Sequence, residues 1–224
     1  SPFSGLGGSH ERFVNLLAAG EIADYSLADT LQYPLAGNPL SRAYRRWVSH
    51  PKKVAKLAGK GQADILHITD QEQAHLVPKN CSIPVVVFVH DMFHIVPTIV
   101  DSGKEMVEVG NHNPSRLRRF DIKKLRKGLS RANLFVCNSP STAEIIGDIY
   151  PDIPAISVPY CIDLELYDPH KNLRPKPDWV LDGKMNLLIV GSEEARKRLD
   201  FAIEAVAHLP EEIRSQVVIH KVGA

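Results

Sequence analysis

Short apolar runs recur along the chain and predict a parallel β-sheet. Most of them are continuous stretches of Val, Ile, Leu and Phe that do not alternate with polar residues. Continuous apolar strands are typical of parallel sheets, because helices cover both faces of such a sheet. Six runs predict six strands: Asp64–Ile68, Pro84–His90, Asn133–Asn138, Pro154–Pro159, Asn186–Gly191 and Val217–Val222.

Helical periodicity lies between several of these runs. Apolar residues at i, i+3, i+4 and i+7 mark one helix from Leu199 to Val206, and related patterns mark helices over 13–17 and 117–132. Ser139-Pro140 and the box from Ser141 to Glu144 are two overlapping helix-start signals, and the pattern does not decide between them. Strands that alternate with helices predict a doubly wound α/β fold.

A proline-rich connector predicts the domain organisation. The segment Asp168–Pro177 contains three prolines, each of which disfavours helix before it. Residues 186–222 beyond it hold only one strand–helix–strand unit. We predict a Rossmann-like domain over 1–160, a linker over 161–184 and the beginning of a second Rossmann-like domain over 185–224. Because the chain begins with Ser1 rather than Met, we expect it to be a fragment.

The composition excludes several classes of protein. A chain of 224 residues, 44% of them hydrophobic, can bury a core without disulfide or metal support. The net charge of +1 favours no particular partner. Three cysteines without a CxxC pair favour a reducing compartment, and no apolar run reaches the roughly 18 residues that cross a bilayer. We predict a cytoplasmic protein and leave membrane association open.

Polar side chains follow most of the predicted strands. Ligands of open parallel sheets bind beyond the carboxyl ends of the strands, so these side chains predict a binding rim. Polar strand ends that simply reach solvent are the alternative. The candidates are His67 and Asp70 after the first strand, His90 and Asp91 after the second, Asn138 and Ser139 after the third, and Asp163 after the fourth.

Two glycine-containing segments precede predicted helices and are candidate anion sites. Glycine lets backbone N–H groups approach an anion, and a helix N-terminus adds about half a positive charge. An ordinary glycine turn and an exposed basic pair are the alternatives. The residues are Gly5, Gly7 and Gly8 in the first segment, and Gly191 with Arg196 and Lys197 in the second.

We predict no metal site. His90 and His94 are four residues apart, a spacing at which two imidazoles converge on one ion when they share a helix. His90 instead ends a predicted strand, so the two rings are expected to diverge.

Positive charge is concentrated in two segments, although the chain as a whole is nearly neutral. Residues 41–61 contain seven cations and no acid, and residues 116–131 contain eight cations and one acid. Basic amphipathic helices with aromatic residues at their edge suit an anionic membrane surface. A solvated helix face and a nucleic-acid surface are the alternatives, and we expect no nucleic-acid partner.

The strand-end motifs, in this order and spacing, resemble those of retaining glycosyltransferases of family 4. The resemblance covers nearly the whole chain, and its most specific part is V-G-S followed by R-K and a helix. The motifs are Asp64–Ile68, Val87–Asp91, Phe135–Ser139, Ile156–Pro159 extended to Asp163, and Leu188–Lys197.

This resemblance implies two Rossmann-like domains, the architecture called GT-B, with a nucleotide-sugar held between them. It implies that the Gly5, Gly7 and Gly8 segment faces the donor diphosphate and the acceptor, and that His90, with Asp91 beside it, contacts the transferred sugar. Gly191, Arg196 and Lys197 would bind the diphosphate leaving group, so that neither a metal nor another cofactor is needed.

The resemblance also implies a hexosyltransferase activity with a glycan or a lipid-linked acceptor. It places the nucleotide-binding remainder of the second domain, with paired glutamates, beyond Ala224, so that this chain alone is expected to be inactive. A non-catalytic module that binds anionic lipid or polymer is one alternative, and a nucleotide-sugar epimerase of the same architecture is another.

Overall fold

Helices and short strands alternate along the chain in the computed structural model, which describes residues 5–31, 37–101, 103–160, 164, 168, 170–171 and 175–223. The strands, in chain order, are β1 Leu66–Ile68, β2 Val85–Val89, β3 Thr98–Asp101, β4 Met106–Val109, β5 Leu134–Cys137, β6 Ala155–Ser157, β7 Met185–Val190 and β8 Val217–Val222. The α-helices are α1 Gly5–Ala18, α2 Pro39–Tyr44, α3 His50–Ala58, α4 Arg116–Leu129, α5 Pro140–Ile149, α6 Leu199–Ala207 and α7 Glu211–Arg214.

Three further helical segments interrupt this series. A π-helical turn, Arg45–Ser49, joins α2 to α3, and a 3₁₀ helix, Gln71–Leu76, follows β1. A short 3₁₀ turn, Ala195–Lys197, precedes α6.

The chain divides into two units. The first contains residues 1–95 and 113–160, and the second contains residues 96–112 and 161–224. The β3–β4 hairpin therefore belongs to the second unit, although its sequence lies between two strands of the first. The domain boundaries at residues 160 and 185 stay predictions.

A four-stranded parallel sheet in the order β1–β2–β5–β6 forms the centre of the first unit. Its two central strands carry the core: Val85, Val87, Val89, Phe135 and Cys137 are at most 1% exposed. Burial also raises the pKa of the Cys137 thiol to about 11, so Cys137 is a core residue and not a reactive thiol. This sheet confirms the predicted α/β class.

Helix α4 packs against the 3₁₀ helix Gln71–Leu76 at very short range. Leu125 and Leu129 of α4 are fully buried, and Gly128 lies between them and the neighbouring backbone. A Cβ atom at Gly128 would overlap the carbonyl group of Ala74. Only glycine fits at this position of the helix.

The start of helix α5 shows that Ser139-Pro140, and not the box from Ser141 to Glu144, is the helix-start signal. Ser139 is the N-cap, and its side-chain oxygen accepts a hydrogen bond from the amide of Thr142 at 3.2 Å. Pro140 occupies the first turn, where its missing N–H costs nothing.

The second unit contains a parallel pair and an antiparallel hairpin. Strands β7 and β8 pair in parallel from Met185–Val217 to Val190–Val222, and β3 pairs with β4 from Thr98–Val109 to Asp101–Met106. Gly191 directly follows β7, as predicted, and its amide donates to the carbonyl of Val222 at 2.9 Å.

The buried carboxylate of Asp121 binds side chains from both basic segments, residues 41–61 and 116–131. Asp121 on α4 is 6% exposed and accepts hydrogen bonds from Arg46 at 2.8 and 2.9 Å, from the Trp47 indole at 3.1 Å and from Arg118 at 2.7 Å. Arg118 also pairs with Glu72. Two of the cations that the sequence assigned to a membrane surface, Arg46 and Arg118, are therefore neutralised inside the fold.

Stability should depend on pH through Asp121. Burial acts to raise its pKa, but Arg46, Trp47 and Arg118 outweigh burial and hold the pKa below its ordinary value. A carboxyl group whose pKa is lower in the folded than in the unfolded state stabilises the fold at pH values above its unfolded pKa of about 3.9. This stabilisation is lost as the pH falls through the pKa of the folded state.

We expect Asp121→Asn to lower the free energy of unfolding by about 2–3 kcal/mol at pH 7, because it leaves Arg46 without its carboxylate and Arg118 with Glu72 alone. The gap between the parent and the variant should shrink as the pH falls below about 4. Urea unfolding at several pH values measures it, with Asp148→Asn on the exposed side of α5 as the control. A gap that stays constant down to pH 3 would show that the charge of Asp121 does not stabilise the fold.

Candidate functional site

The carboxyl edge of the four-stranded sheet collects polar side chains from separate parts of the chain. Because the strands are parallel, the residues that follow β1, β2, β5 and β6 all lie at this edge. They include Asp70, His90 and Asn138, together with Tyr160, which lies three residues beyond β6. We call His90, His10, Tyr160 and Phe88 the His90 cluster.

His90 is 7% exposed, and hydrogen bonds hold it at both ring nitrogens. Its Nε2 lies 2.9 Å from the carbonyl oxygen of Thr69 and 3.0 Å from Nε2 of His10, and its Nδ1 contacts the hydroxyl of Tyr160. A carbonyl oxygen can only accept, so Nε2 carries the proton. In the neutral ring, Nδ1 then accepts the hydrogen bond of Tyr160.

Aromatic rings fix the plane of this imidazole. The Phe88 ring lies 4.7 Å from it at an interplanar angle of 30°, and the Tyr160 ring lies 5.9 Å away at 14°. The amide of His90 also donates to Oε1 of Gln71 at 2.9 Å. Backbone, ring plane and tautomer of His90 are thus all defined before any ligand arrives.

His10 is a site residue that the sequence reasoning missed. It lies on α1 with its ring 5.0 Å from that of His90, and Phe13, three residues later, contacts His67 at 5.4 Å. Burial lowers the pKa of His10, the charge of His90 lowers it further, and Asp70 opposes them. The helical spacing of His10 and Phe13 was the signal that could have placed His10 against the sheet.

Carboxylates give this edge a negative character. Burial raises the pKa of Tyr160, Asp70 and Asp91 act in the same direction, and a hydrogen bond with Asn138 opposes them. Asp70 also caps the 3₁₀ helix by accepting from the amide of Glu72 at 2.7 Å, and Asp91 accepts from the amide of Phe93 at 3.3 Å.

The prediction that His67 lies at a strand end is wrong. His67 is the middle residue of β1, opposite Val86, because β1 continues to Ile68. Its Nε2 is buried and has no hydrogen-bond partner among the described residues. Burial, followed by the charge of His10, lowers the pKa of His67, which favours a neutral ring.

The remaining residues of the predicted rim serve the start of α5 or fall outside the structure's description. The side-chain oxygen of Asn138 accepts from the Thr142 hydroxyl at 3.3 Å, and Ser139 is the N-cap. Asp163 lies outside the described residues.

The glycine segment at the start of the chain does not form the predicted loop. Gly5, Gly7 and Gly8 lie in the first turns of α1, which begins at Gly5. Once a helix is nucleated, each further residue adds one hydrogen bond, so the helix extends through the glycines despite their poor propensity. Their contact with a phosphate stays a prediction.

Arg196 and Lys197 do not lie on a helix that continues into α6. They form the 3₁₀ turn, and Arg198 then adopts a left-handed conformation with φ 54° that starts α6 at Leu199. Both side chains are exposed. Arg196 pairs with Glu194 at 2.6 Å, whereas the ion pairs of the described residues do not include Lys197.

The other acid of this loop is also paired. Glu193 accepts from Lys221 at 3.0 Å, and Glu194 accepts from the Ser192 hydroxyl at 2.8 Å in addition to Arg196. The Lys197 chain passes Gly191, where a Cβ atom would lie 3.7 Å from its Cδ. Lys197 therefore places a positive charge beside Gly191, within electrostatic range of Glu194.

Comparison with known families identifies the family of the chain. Residues 13–166, more than half of the chain, match the family described as Glycosyltransferase Family 4, and the chain belongs to this family. The match contains His90 and Tyr160 but ends before Arg196 and Lys197. No curated protein matches the chain.

Two further findings concern the described residues alone. No helix among them has both the length and the apolar composition needed to cross a membrane. Nor do three or more of their His, Cys, Asp and Glu side chains converge as ligands of a metal ion would.

Proposed function

We propose that the chain is part of a retaining glycosyltransferase that moves a hexose from a nucleotide-sugar to a glycan or lipid-linked hydroxyl without a metal. Membership of glycosyltransferase family 4 supports sugar transfer in general. The observation that carries the finer proposal is His90, held in one tautomer and one plane at the carboxyl edge of the sheet. The free thiols of Cys81 and Cys137 fit a reducing compartment such as the cytoplasm.

The charge of the sheet edge favours a sugar over a phosphate. Burial raises the pKa of the Tyr160 hydroxyl, and the charges of Asp70 and Asp91 raise it further, so two carboxylates lie near the His90 cluster. Carboxylates accept hydrogen bonds from hydroxyl groups and repel phosphate. We therefore assign the hexose, which has many hydroxyl groups, to this edge of the sheet. The diphosphate of the nucleotide-sugar is assigned to a different part of the protein.

The loop Gly191–Lys197 has the opposite character. Its two glutamates are paired, and Lys197 adds positive charge next to Gly191. During transfer, the bond between the anomeric carbon and the diphosphate oxygen breaks, the acceptor oxygen bonds to that carbon, and the acceptor proton is released. Negative charge then develops on the departing diphosphate, where a prepositioned cation stabilises it.

Tyr160 and His10 act as positioning residues in this proposal. The Tyr160 hydroxyl occupies Nδ1 of His90, while the Thr69 carbonyl at Nε2 defines the tautomer, and the orientation of the ring depends on the rings around it. We assign to His90, whose ring plane and nitrogens these neighbours hold in place, the positioning of the transferred sugar. Asp91 remains the second candidate for a sugar contact.

The phosphate clamp predicts unequal effects of two neighbouring substitutions. In the full-length protein, Lys197→Ala should weaken donor binding by about tenfold to a hundredfold, the usual worth of a charge-assisted contact. Arg196→Ala, the matched control, should weaken binding by less than about threefold, because Glu194 already compensates its charge. Calorimetry with UDP- and GDP-hexoses measures both. Parental affinity in both variants would refute the clamp.

A further inference from the structure

A shallow basic groove lies between α4 and α5 in the first unit, and it takes no part in the proposed transfer. It encloses about 510 Å³. Its lining combines four cations with apolar side chains and contains no acidic residue: Arg119, Ile122, Lys123, Arg126, Lys127, Ser130, Ile149 and Tyr150. We call these eight residues the basic groove.

The cations of the basic groove keep their charge available to a ligand. All four are exposed, and the ion pairs of the described residues do not include Arg119, Lys123 or Lys127. Arg126 donates to the carbonyl of Ile95 at 3.1 Å, a contact that leaves its charge uncompensated. The cations of the groove thus differ from Arg46 and Arg118, whose charges are neutralised by Asp121 and Glu72.

The lining of the basic groove also contains apolar side chains. Ile122, Ile149 and Tyr150 are half-buried, whereas the four cations that line the groove with them are exposed. Tyr150 is held in place because its hydroxyl donates to the carbonyl of Arg126 at 3.3 Å and its ring lies 5.6 Å from that of Phe135. Ile145, one turn before Ile149 on α5, is 39% exposed.

We propose that the basic groove docks the protein on an anionic phospholipid surface. A phospholipid presents an anionic phosphate above an apolar glycerol and acyl region, and the groove combines exposed cations with half-buried apolar side chains. Single-stranded nucleic acid fits less well, because such ligands need aromatic side chains on which bases stack. Of the described lining residues, Tyr150 alone is aromatic, and its hydroxyl and ring are already engaged.

Vesicle flotation with the full chain tests the proposal. Vesicles of phosphatidylcholine with about one third phosphatidylserine should bind the protein, and vesicles of phosphatidylcholine alone should not. Since each cation near an anionic surface contributes roughly fivefold in affinity, Lys123→Glu combined with Lys127→Glu should weaken binding at least tenfold. Raising the salt to about 1 M, where the Debye length is about 3 Å, should weaken the parent similarly.

The matched control reverses two charges outside the groove. Lys53→Glu combined with Lys56→Glu, on the exposed side of α3, makes the same change in net charge and should leave binding within about threefold. Circular dichroism checks that each variant is folded, and Lys123→Ala with Lys127→Ala replaces the reversal if it is not.

Three results would overturn the proposal. The first is equal binding to both kinds of vesicle, and the second is an equal loss in the groove and control variants. The third is a groove-dependent binding of a single-stranded RNA that exceeds binding to anionic vesicles, since the groove would then be a nucleic-acid site. Because the readout is vesicle binding, it is independent of whether the protein transfers a sugar.

Discussion

Replacement of His90 by alanine in the full-length protein should lower kcat by about a hundredfold or more and leave the affinity for the donor within about threefold. The imidazole lies at the acid-lined edge that we assign to the transferred sugar, and its two nitrogens are already oriented. Its loss removes an interaction that matters most as the bond to the leaving group breaks. The nucleotide and diphosphate contacts, which we assign to other residues, should be unaffected. Single-turnover kinetics and calorimetry separate the two effects.

His90→Ala also leaves the Thr69 carbonyl without its hydrogen-bond donor. A second variant is therefore needed to separate a loss of activity from a loss of folding. Tyr160→Phe keeps the ring beside His90 and removes only the hydroxyl, so it should lower kcat by about tenfold and alter the pH profile of kcat. His208→Ala, an exposed histidine in the second unit, is the control and should retain the parental kcat. If His90→Ala also retains the parental kcat, His90 is only structural.

Gly128→Ala should destabilise the first unit by about 3 kcal/mol or more. The new methyl group would overlap the carbonyl of Ala74 and come within 3.0 Å of the His75 amide nitrogen, and both are backbone atoms that cannot rotate away. Helix α4 or the 3₁₀ helix would have to move, which would disturb the fully buried Leu125 and Leu129. Urea unfolding measures the loss.

The chain offers a matched control in Gly147 on α5. A Cβ atom there meets nothing within 4 Å, so Gly147→Ala should stabilise the helix by about 0.5–1 kcal/mol through helix propensity alone. The two substitutions make the same chemical change with opposite expected signs. Equal stability of the two variants would mean that α4 and the 3₁₀ helix are not packed as described.

The sheet could be predicted from the sequence because its strands are buried. All six predicted strands are present, and each differs at its ends by no more than two residues. The β3–β4 hairpin was missed, since Ile99, Val100 and Met106 are exposed and their pattern does not mark a buried face. Gly103, with φ 87°, lies in the turn between them, and its amide donates to the side chain of Asp101 at 2.7 Å.

The site was predictable only in part, because the sequence pattern indicates where strands end but not how helices pack against the sheet. Strand ends placed His90, Asp70 and Asn138 at one edge, because parallel pairing alone determines that geometry. The contact of His10 with His90 joins residues 80 positions apart, and that of Arg46 with Asp121 joins residues 75 positions apart. Such pairs depend on how helices pack against the sheet, which local periodicity does not specify.

The central claim, retaining sugar transfer without a metal, is tested most directly by following the anomeric configuration of the product by NMR. The full-length protein would be incubated with UDP- and GDP-hexoses, a hydroxyl acceptor and EDTA. We predict release of the nucleoside diphosphate and a product with the anomeric configuration of the donor. An inverted product, a requirement for metal, or a changed hexose still attached to its nucleotide would contradict the proposal, and the last result would indicate an epimerase.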